Sequence, residues 1–142
     1  MASTHFSGPV ESGTIREGAN ANLGLCVLSK TALMTQDGTN VVDSTFYLPA
    51  NAQILSFNFD VLTAFDSATS ATLSAGTASG GTQYASGVNV KAATGRIAPT
   101  LTAAQLTNMA DITTNTSLVV SITPVGATTA GSVRVTVIYV QK

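Results

Sequence analysis

The sequence predicts an all-β fold: a single antiparallel β-sandwich, jelly-roll-like, with an extended N-terminal arm and at most one short helix. Short runs rich in β-branched residues alternate between apolar and polar side chains, which is the period of a strand with one buried face. Turn-forming Gly, Asn, Asp and Pro separate these runs at intervals of roughly 8–12 residues, a spacing typical of sandwiches and barrels. A length of 142 residues fits one domain of ordinary size.

Residues 1–22 are predicted to form the arm and residues 23–142 the sandwich domain. Glycine and proline interrupt every regular period in the arm, whose only large apolar groups are Phe6, Val10 and Ile15. A segment of this kind either lies along a partner or frays in solvent. We expect the docked arm, with contacts from five residues: Phe6, Pro9, Val10, Ile15 and Arg16.

The first half of the domain contains the strongest turn signal and the clearest strand. Asp37 and Gly38 predict a two-residue hairpin turn between the run 31–36 and the run 40–48. The following strand over 52–64 has strict alternation, and we expect four apolar residues on its core face: Leu55, Phe57, Phe59 and Val61.

In the second half, strands are predicted over 69–76, 83–90, 117–123 and 132–141. The last of them has apolar residues on both faces, since Ile138 and Val140 lie opposite its main apolar face. We expect these two residues to form an oligomer interface, because a monomer would leave that apolar edge exposed.

One segment predicts a short helix in a connection between strands. Thr102 and Gln105 have the spacing of a capping box, in which the two side chains satisfy free backbone donors at the helix start. Leu101, Leu106 and Met109 are expected to form its apolar side.

The composition argues against catalysis. Only 13 residues carry a full charge and there is one His, so clustered acids, bases and nucleophiles are not expected. We therefore expect no enzyme activity, no metal or cofactor and no small-molecule substrate. A net charge of -1 with scattered Lys and Arg gives no reason to expect nucleic acid binding. Cys26 is interpreted as a small core residue, with a reactive thiol as the alternative.

The N-terminal residues lack the basic start and apolar run of a signal peptide, and no apolar stretch reaches the roughly 18 residues of a membrane span. We therefore expect a soluble protein, synthesised in the cytoplasm and not associated with a membrane.

Four segments in order resemble small virion structural proteins of tailed bacteriophages, the capsid decoration (cement) or head-fibre proteins. They are residues 5–10 (HFSGPV), 48–54 (LPANAQI), 73–77 (LSAGT) and 133–140 (VRVTVIYV). The resemblance implies a homotrimeric β-sandwich on the outside of an icosahedral capsid, with the major capsid protein as its partner. It implies no catalytic residue.

The alternative function is a receptor-binding module of a phage tail or head fibre. Such an adhesin would expose aromatic and Asn- or Asp-rich loops for sugars, and Tyr84 is the main loop candidate.

Overall fold

The structure, a computed structural model, describes residues 11–12, 24–36, 38–91 and 94–141. Its elements in chain order are β1 (Glu11–Ser12), β2 (Gly24–Leu25), β3 (Val27–Thr35), β4 (Val42–Leu48), β5 (Ala52–Thr63), β6 (Ser70–Gly76), β7 (Ala85–Asn89), β8 (Gly95–Ile97), α1 (Ala103–Ala110), β9 (Thr116–Val125) and β10 (Ser132–Gln141). The prediction of an all-β protein with one short helix is confirmed.

Eight of these strands form two antiparallel four-stranded sheets that pack face to face. Sheet I has the order β3-β10-β5-β8, and sheet II has the order β4-β9-β6-β7. Most successive strands therefore alternate between the sheets, and the last strand lies between the first and third of the eight. This arrangement of eight strands in two sheets is a jelly roll, as predicted. The arm boundary at residue 22 stays a prediction.

The inner faces form one core because the alternating strands turn their apolar residues toward each other. Leu118, Val120 and Ile122 of β9 and the facing valines of β10 are fully buried, as their alternation predicts. The rings of Phe57 and Phe59 stack with their centroids 6.1 Å apart.

The prediction for Leu55 is wrong. Its side chain is 44 % exposed, whereas Ile54 is buried. The cause is a bulge in the pairing of β5 with β10, where Ile138 lies opposite Ser56 but Tyr139 lies opposite Ile54. The extra residue reverses the alternation. Even-numbered residues of β5 face the core before the bulge, and odd-numbered residues face it after the bulge.

The predicted hairpin between β3 and β4 is also wrong, because the two strands belong to different sheets. Gly38 does have a positive φ of 110°. However, the backbone N–H of Gly38 donates to the Thr128 carbonyl oxygen at 2.7 Å, and the buried Gln36 side chain donates to the Asn40 carbonyl oxygen at 2.8 Å. These hydrogen bonds fix the connection in which the chain crosses from sheet I to sheet II.

The helix α1 begins at the predicted capping box of Thr102 and Gln105. Met109 is buried and Leu101 packs against the core, but Leu106 is 54 % exposed, contrary to the prediction. The neighbouring polar residue Gln105 is buried, and its amide group donates a hydrogen bond to the Thr82 carbonyl oxygen at 3.0 Å.

Candidate interaction surface

The arm residues predicted to contact a partner lie outside the described residues, so their role stays a prediction. They are Phe6, Pro9, Val10, Ile15 and Arg16. The part of the arm that the structure describes is β1, which pairs antiparallel with β2 immediately before β3.

Ile138 and Val140 lie on the outer face of sheet I, but the exposed apolar edge expected around them does not exist. β10 is an inner strand with β3 on one side and β5 on the other. Val140 is only 7 % exposed in the single chain, and Ile138 is half-buried. The argument for an interface at these two residues therefore fails, although no observation tests the contact itself.

A different surface has the character that was expected of β10. Among the described strands, β3 pairs only with β10 and β4 only with β9, so both are edge strands on the same side of the sandwich. We call this side the open edge. Five of the nine large apolar side chains exposed in the described part of the chain lie along β3, β4 and their connection: Val27, Leu28, Leu33, Val41 and Tyr47.

Within the described residues, the open edge has little of the usual protection of edge strands. Proteins commonly guard such edges with charges, proline or a very short strand, since an unguarded edge pairs with other chains. β3 has nine residues, no proline and a single charge, at Lys30. That lysine points inward, because its cross-strand neighbour is the buried Val137 and its Nζ donates to the Tyr47 carbonyl oxygen. An inward-pointing charge is one of the ways in which edge strands are guarded, and β4 adds one exposed charge, at Asp43. The open edge is thus suited to contact with another polypeptide segment.

A groove of about 440 Å³ opens between the sheets at the end of β4. Its wall consists mainly of apolar surface and the lysine stem, from Lys30, Tyr47, Leu48, Pro49, Asn115, Thr116 and Ser117. The Asn115 side chain fixes the adjacent turn by accepting from the Ala50 N–H at 2.9 Å.

A second groove of about 300 Å³ lies beside α1 and is polar. Its lining includes Gln83, Tyr84, Asn108 and Asp111. The interpretation of Tyr84 as an exposed loop aromatic is wrong, since this residue is 6 % exposed and belongs to the core. Burial raises the pKa of its hydroxyl group.

The outer face of sheet I carries one ion pair. Arg96 donates to the two carboxylate oxygens of Asp60 at 2.7 and 3.2 Å. The hydrogen bond with Arg96 lowers the pKa of Asp60 and raises that of Arg96. Because Arg96 is 66 % exposed, water screens the pair and its contribution is small.

Other chemical groups are sparse in the described residues. Within them, no three His, Cys, Asp or Glu side chains come together in a group that could hold a metal ion. Cys26 is half-buried and forms no disulfide. Among these same residues, no helix has the length and apolar character needed to cross a membrane.

Comparison of the chain with known proteins finds no matching family model, no matching curated protein and no matching solved structure.

Proposed function

We propose that the chain is a non-catalytic structural protein of a bacteriophage virion, a decoration (cement) protein that binds the outside of an icosahedral capsid and stabilises it. Its partners in this proposal are the major capsid protein and further copies of itself, in a homotrimer. Its place is the capsid surface, after synthesis in the cytoplasm of the host bacterium. No cofactor, nucleic acid or membrane takes part.

The observation that carries the proposal is the open edge. Exposed apolar residues on two neighbouring edge strands, with few charges among them, are typical of a surface that contacts another protein. The phage resemblance of the four sequence segments names the kind of partner. The jelly-roll fold is compatible, since it recurs in viral capsid and lectin domains, but a fold alone does not decide a function.

Stabilisation would follow from binding to one state of the shell. A protein that binds the assembled lattice and not its dissociated subunits adds its binding free energy to the stability of the lattice. Many copies act on one shell, so the contact of each copy can be weak. The near-neutral net charge allows many copies to lie close together with little repulsion.

The proposal is tested by adding purified protein to capsids that lack it and measuring co-sedimentation and the temperature of capsid disruption. We expect saturable binding and a higher disruption temperature. The variant Tyr47→Ser removes the most exposed aromatic group of the open edge, at 70 % exposure, and is expected to weaken binding about tenfold or more, as loss of an interface aromatic does.

The matched control is Leu106→Ser, which removes an exposed apolar side chain from α1, away from the open edge. We expect it to bind like the unchanged protein. Absence of binding to any capsid would reject the proposed function, and equal weakening by both variants would reject the open edge as the contact. Light scattering tests the homotrimer separately, and a monomer at micromolar concentration would remove that part.

The polar groove beside α1 favours a second candidate, the receptor-binding module of a fibre. Amide and carboxylate side chains such as those of Gln83, Asn108 and Asp111 are suited to hydrogen bonds with sugar hydroxyls. Binding to host-cell surface polysaccharide that is lost in Asp111→Ala, with capsid binding absent, would favour this candidate over decoration.

A further inference from the structure

We infer that the groove beside Lys30 receives an acidic side chain of the protein that contacts the open edge. This inference deepens the proposed function and rests on it, because it names the chemistry of the partner at the same surface. Three observations carry it: the charge of Lys30, the hydrogen-bond donors around that residue, and the place of the groove beside the open edge.

Lys30 brings a positive charge to the groove without a negative partner among the described residues. Its side chain is half-buried on the inner face of sheet I, opposite the buried Val137. Its Nζ donates to the Tyr47 carbonyl oxygen, which holds the ammonium group in place but does not neutralise it. None of the described Asp or Glu residues lines the groove, and their one ion pair joins Arg96 to Asp60. A half-buried ammonium group is therefore complementary to a negative charge supplied by a partner.

The polar side chains next to Lys30 also offer hydrogen-bond donors. Asn115 lines the groove, and its Oδ1 accepts from the Ala50 N–H at 2.9 Å. The group that Asn115 can offer to a ligand is therefore its amide nitrogen, which donates to no described residue. Ser117 lines the same groove, and its side chain has no partner within the described part of the chain. An ionised carboxylate only accepts hydrogen bonds, so this set of donors matches a carboxylate.

The groove adjoins the open edge, since its lining includes Lys30 of β3 and Tyr47 of β4. Lys30 lies within β3 and not at its end, so a partner segment that runs along this strand extends beyond the groove on both sides. The carboxylate is therefore an acidic side chain of that segment and not a chain terminus. The apolar surface of the groove, which includes Leu48 and Pro49, favours an apolar residue next to the acidic one.

The experiment titrates the isolated full-length protein with two blocked dipeptides. N-acetyl-Leu-Glu-amide and N-acetyl-Leu-Gln-amide have the same shape and differ in the carboxylate. NMR follows the backbone amide of Lys30 and the side-chain amide of Asn115. We expect saturable, millimolar binding of the glutamate peptide. The glutamine peptide should bind about tenfold more weakly or less, because it cannot form the charge-assisted hydrogen bonds.

Two variants remove different parts of the site. Lys30→Gln removes the charge and keeps most of the stem, whereas Asn115→Asp keeps an oxygen acceptor for the neighbouring backbone N–H and replaces the amide donor with a repelling carboxylate. Each should weaken binding of the glutamate peptide about tenfold or more. Lys91→Gln is the matched control, because Lys91 also donates to a backbone carbonyl oxygen, that of Ala68 at 3.0 Å, and does not line the groove. It should bind like the unchanged protein.

Equal affinity for the two peptides, or no binding of either, would overturn the inference. Equal weakening by Lys30→Gln and Lys91→Gln would overturn it as well, since the effect would then follow from net charge. A preference for N-acetyl-leucine over the glutamate peptide would reject the acidic side chain in favour of a chain terminus.

The capsid measurement fails or succeeds separately from this titration. Peptide binding at the groove without any capsid binding would reject the proposed function and leave an acidic segment of another protein as the ligand. Capsid binding that is unchanged in Lys30→Gln and Asn115→Asp, without peptide binding, would reject the groove and leave the proposed function.

Discussion

The two long sides of the sandwich, one formed by β7 and β8 and the other by β3 and β4, differ in how their edge strands are protected. The side formed by β7 and β8 has strands of only five and three residues, and Gln105 of α1 donates to Ser86 Oγ of β7 at 3.2 Å. The open edge has strands of nine and seven residues and exposes five large apolar side chains. One side is thus short and partly covered, whereas the other is long and apolar. This contrast is the reason why the open edge, and not the side of β7 and β8, is proposed as the contact surface.

The largest expected loss of stability comes from the core between the two sides. Changes at either edge can be compared with this loss. Phe57→Ala should lower the free energy of unfolding by about 3–5 kcal/mol, because it empties a buried aromatic site. Asn58→Ala, on the outer face of the same strand, should cost less than about 0.5 kcal/mol. Denaturant titration measures both, and equal losses would mean that the assignment of the faces is wrong.

The side formed by β7 and β8 should be destabilised when the helix α1, which partly covers it, loses its contacts there. Gln105→Ala removes a buried amide that bonds to Thr82 and Ser86, and should cost about 1–3 kcal/mol because their oxygen atoms lose a partner. Leu106→Ala changes the exposed neighbour on the same helix and should cost less than about 0.5 kcal/mol. Thermal or denaturant unfolding compares the two. If Gln105→Ala were as mild as Leu106→Ala, the helix would not stabilise this side.

The end of the open edge should be sensitive to acid. Asp66 accepts hydrogen bonds from the Thr129 side chain at 2.5 Å and from the N–H groups of Thr129 and Ala130 at 2.8 and 3.0 Å. These bonds, with the Thr129 hydroxyl first, lower the pKa of Asp66 from 3.8 to about 2. They hold the loop whose Thr128 pairs with Gly38 in the β3–β4 connection.

Because the folded chain has the lower pKa, the contribution of Asp66 to stability is complete above pH 3.8 and is lost as the pH falls toward 2. Asp66→Asn should be less stable than the unchanged protein at pH 6, and the difference should shrink at pH 2. Melting temperatures at the two pH values measure this. A difference that is the same at both would show that the carboxylate charge plays no part.

The sequence predicted the parts of the fold that depend on a regular period. The core faces of β9 and β10 alternate without interruption, so the burial of Leu118, Val120 and Ile122 and of the three valines at 133, 135 and 137 followed directly. β5 alternates equally well in sequence, but a bulge at Leu55 depends on the partner strand β10 and leaves no local signal. Likewise, Asp37 and Gly38 indicate a change of chain direction, and the choice between a hairpin and a crossing to the other sheet depends on distant loops.

The sequence predicted that an apolar edge is exposed, but it placed this edge on the wrong strand. Two apolar faces on β10 suggested an exposed edge, yet the strand order puts β10 in the middle of sheet I. β3 contains three of the exposed apolar residues instead, and the fact that Lys30 is its single charge is visible in the sequence. Its edge position is not, because strand order arises from pairings between residues more than one hundred positions apart, such as Thr31 with Thr136.

The position of β10 has a consequence for how the chain folds as it is synthesised. Sheet I needs the last strand to join β3 to β5, since those two strands have no direct pairing. A ribosome that adds about 5–20 residues per second exposes β3 several seconds before its partner exists. Throughout that time the apolar residues of β3 have no sheet to join, and pairing across such a long loop is slow. The nascent chain is therefore prone to aggregation at β3, and loss of the C-terminal strand should prevent β3 and β5 from joining in one sheet.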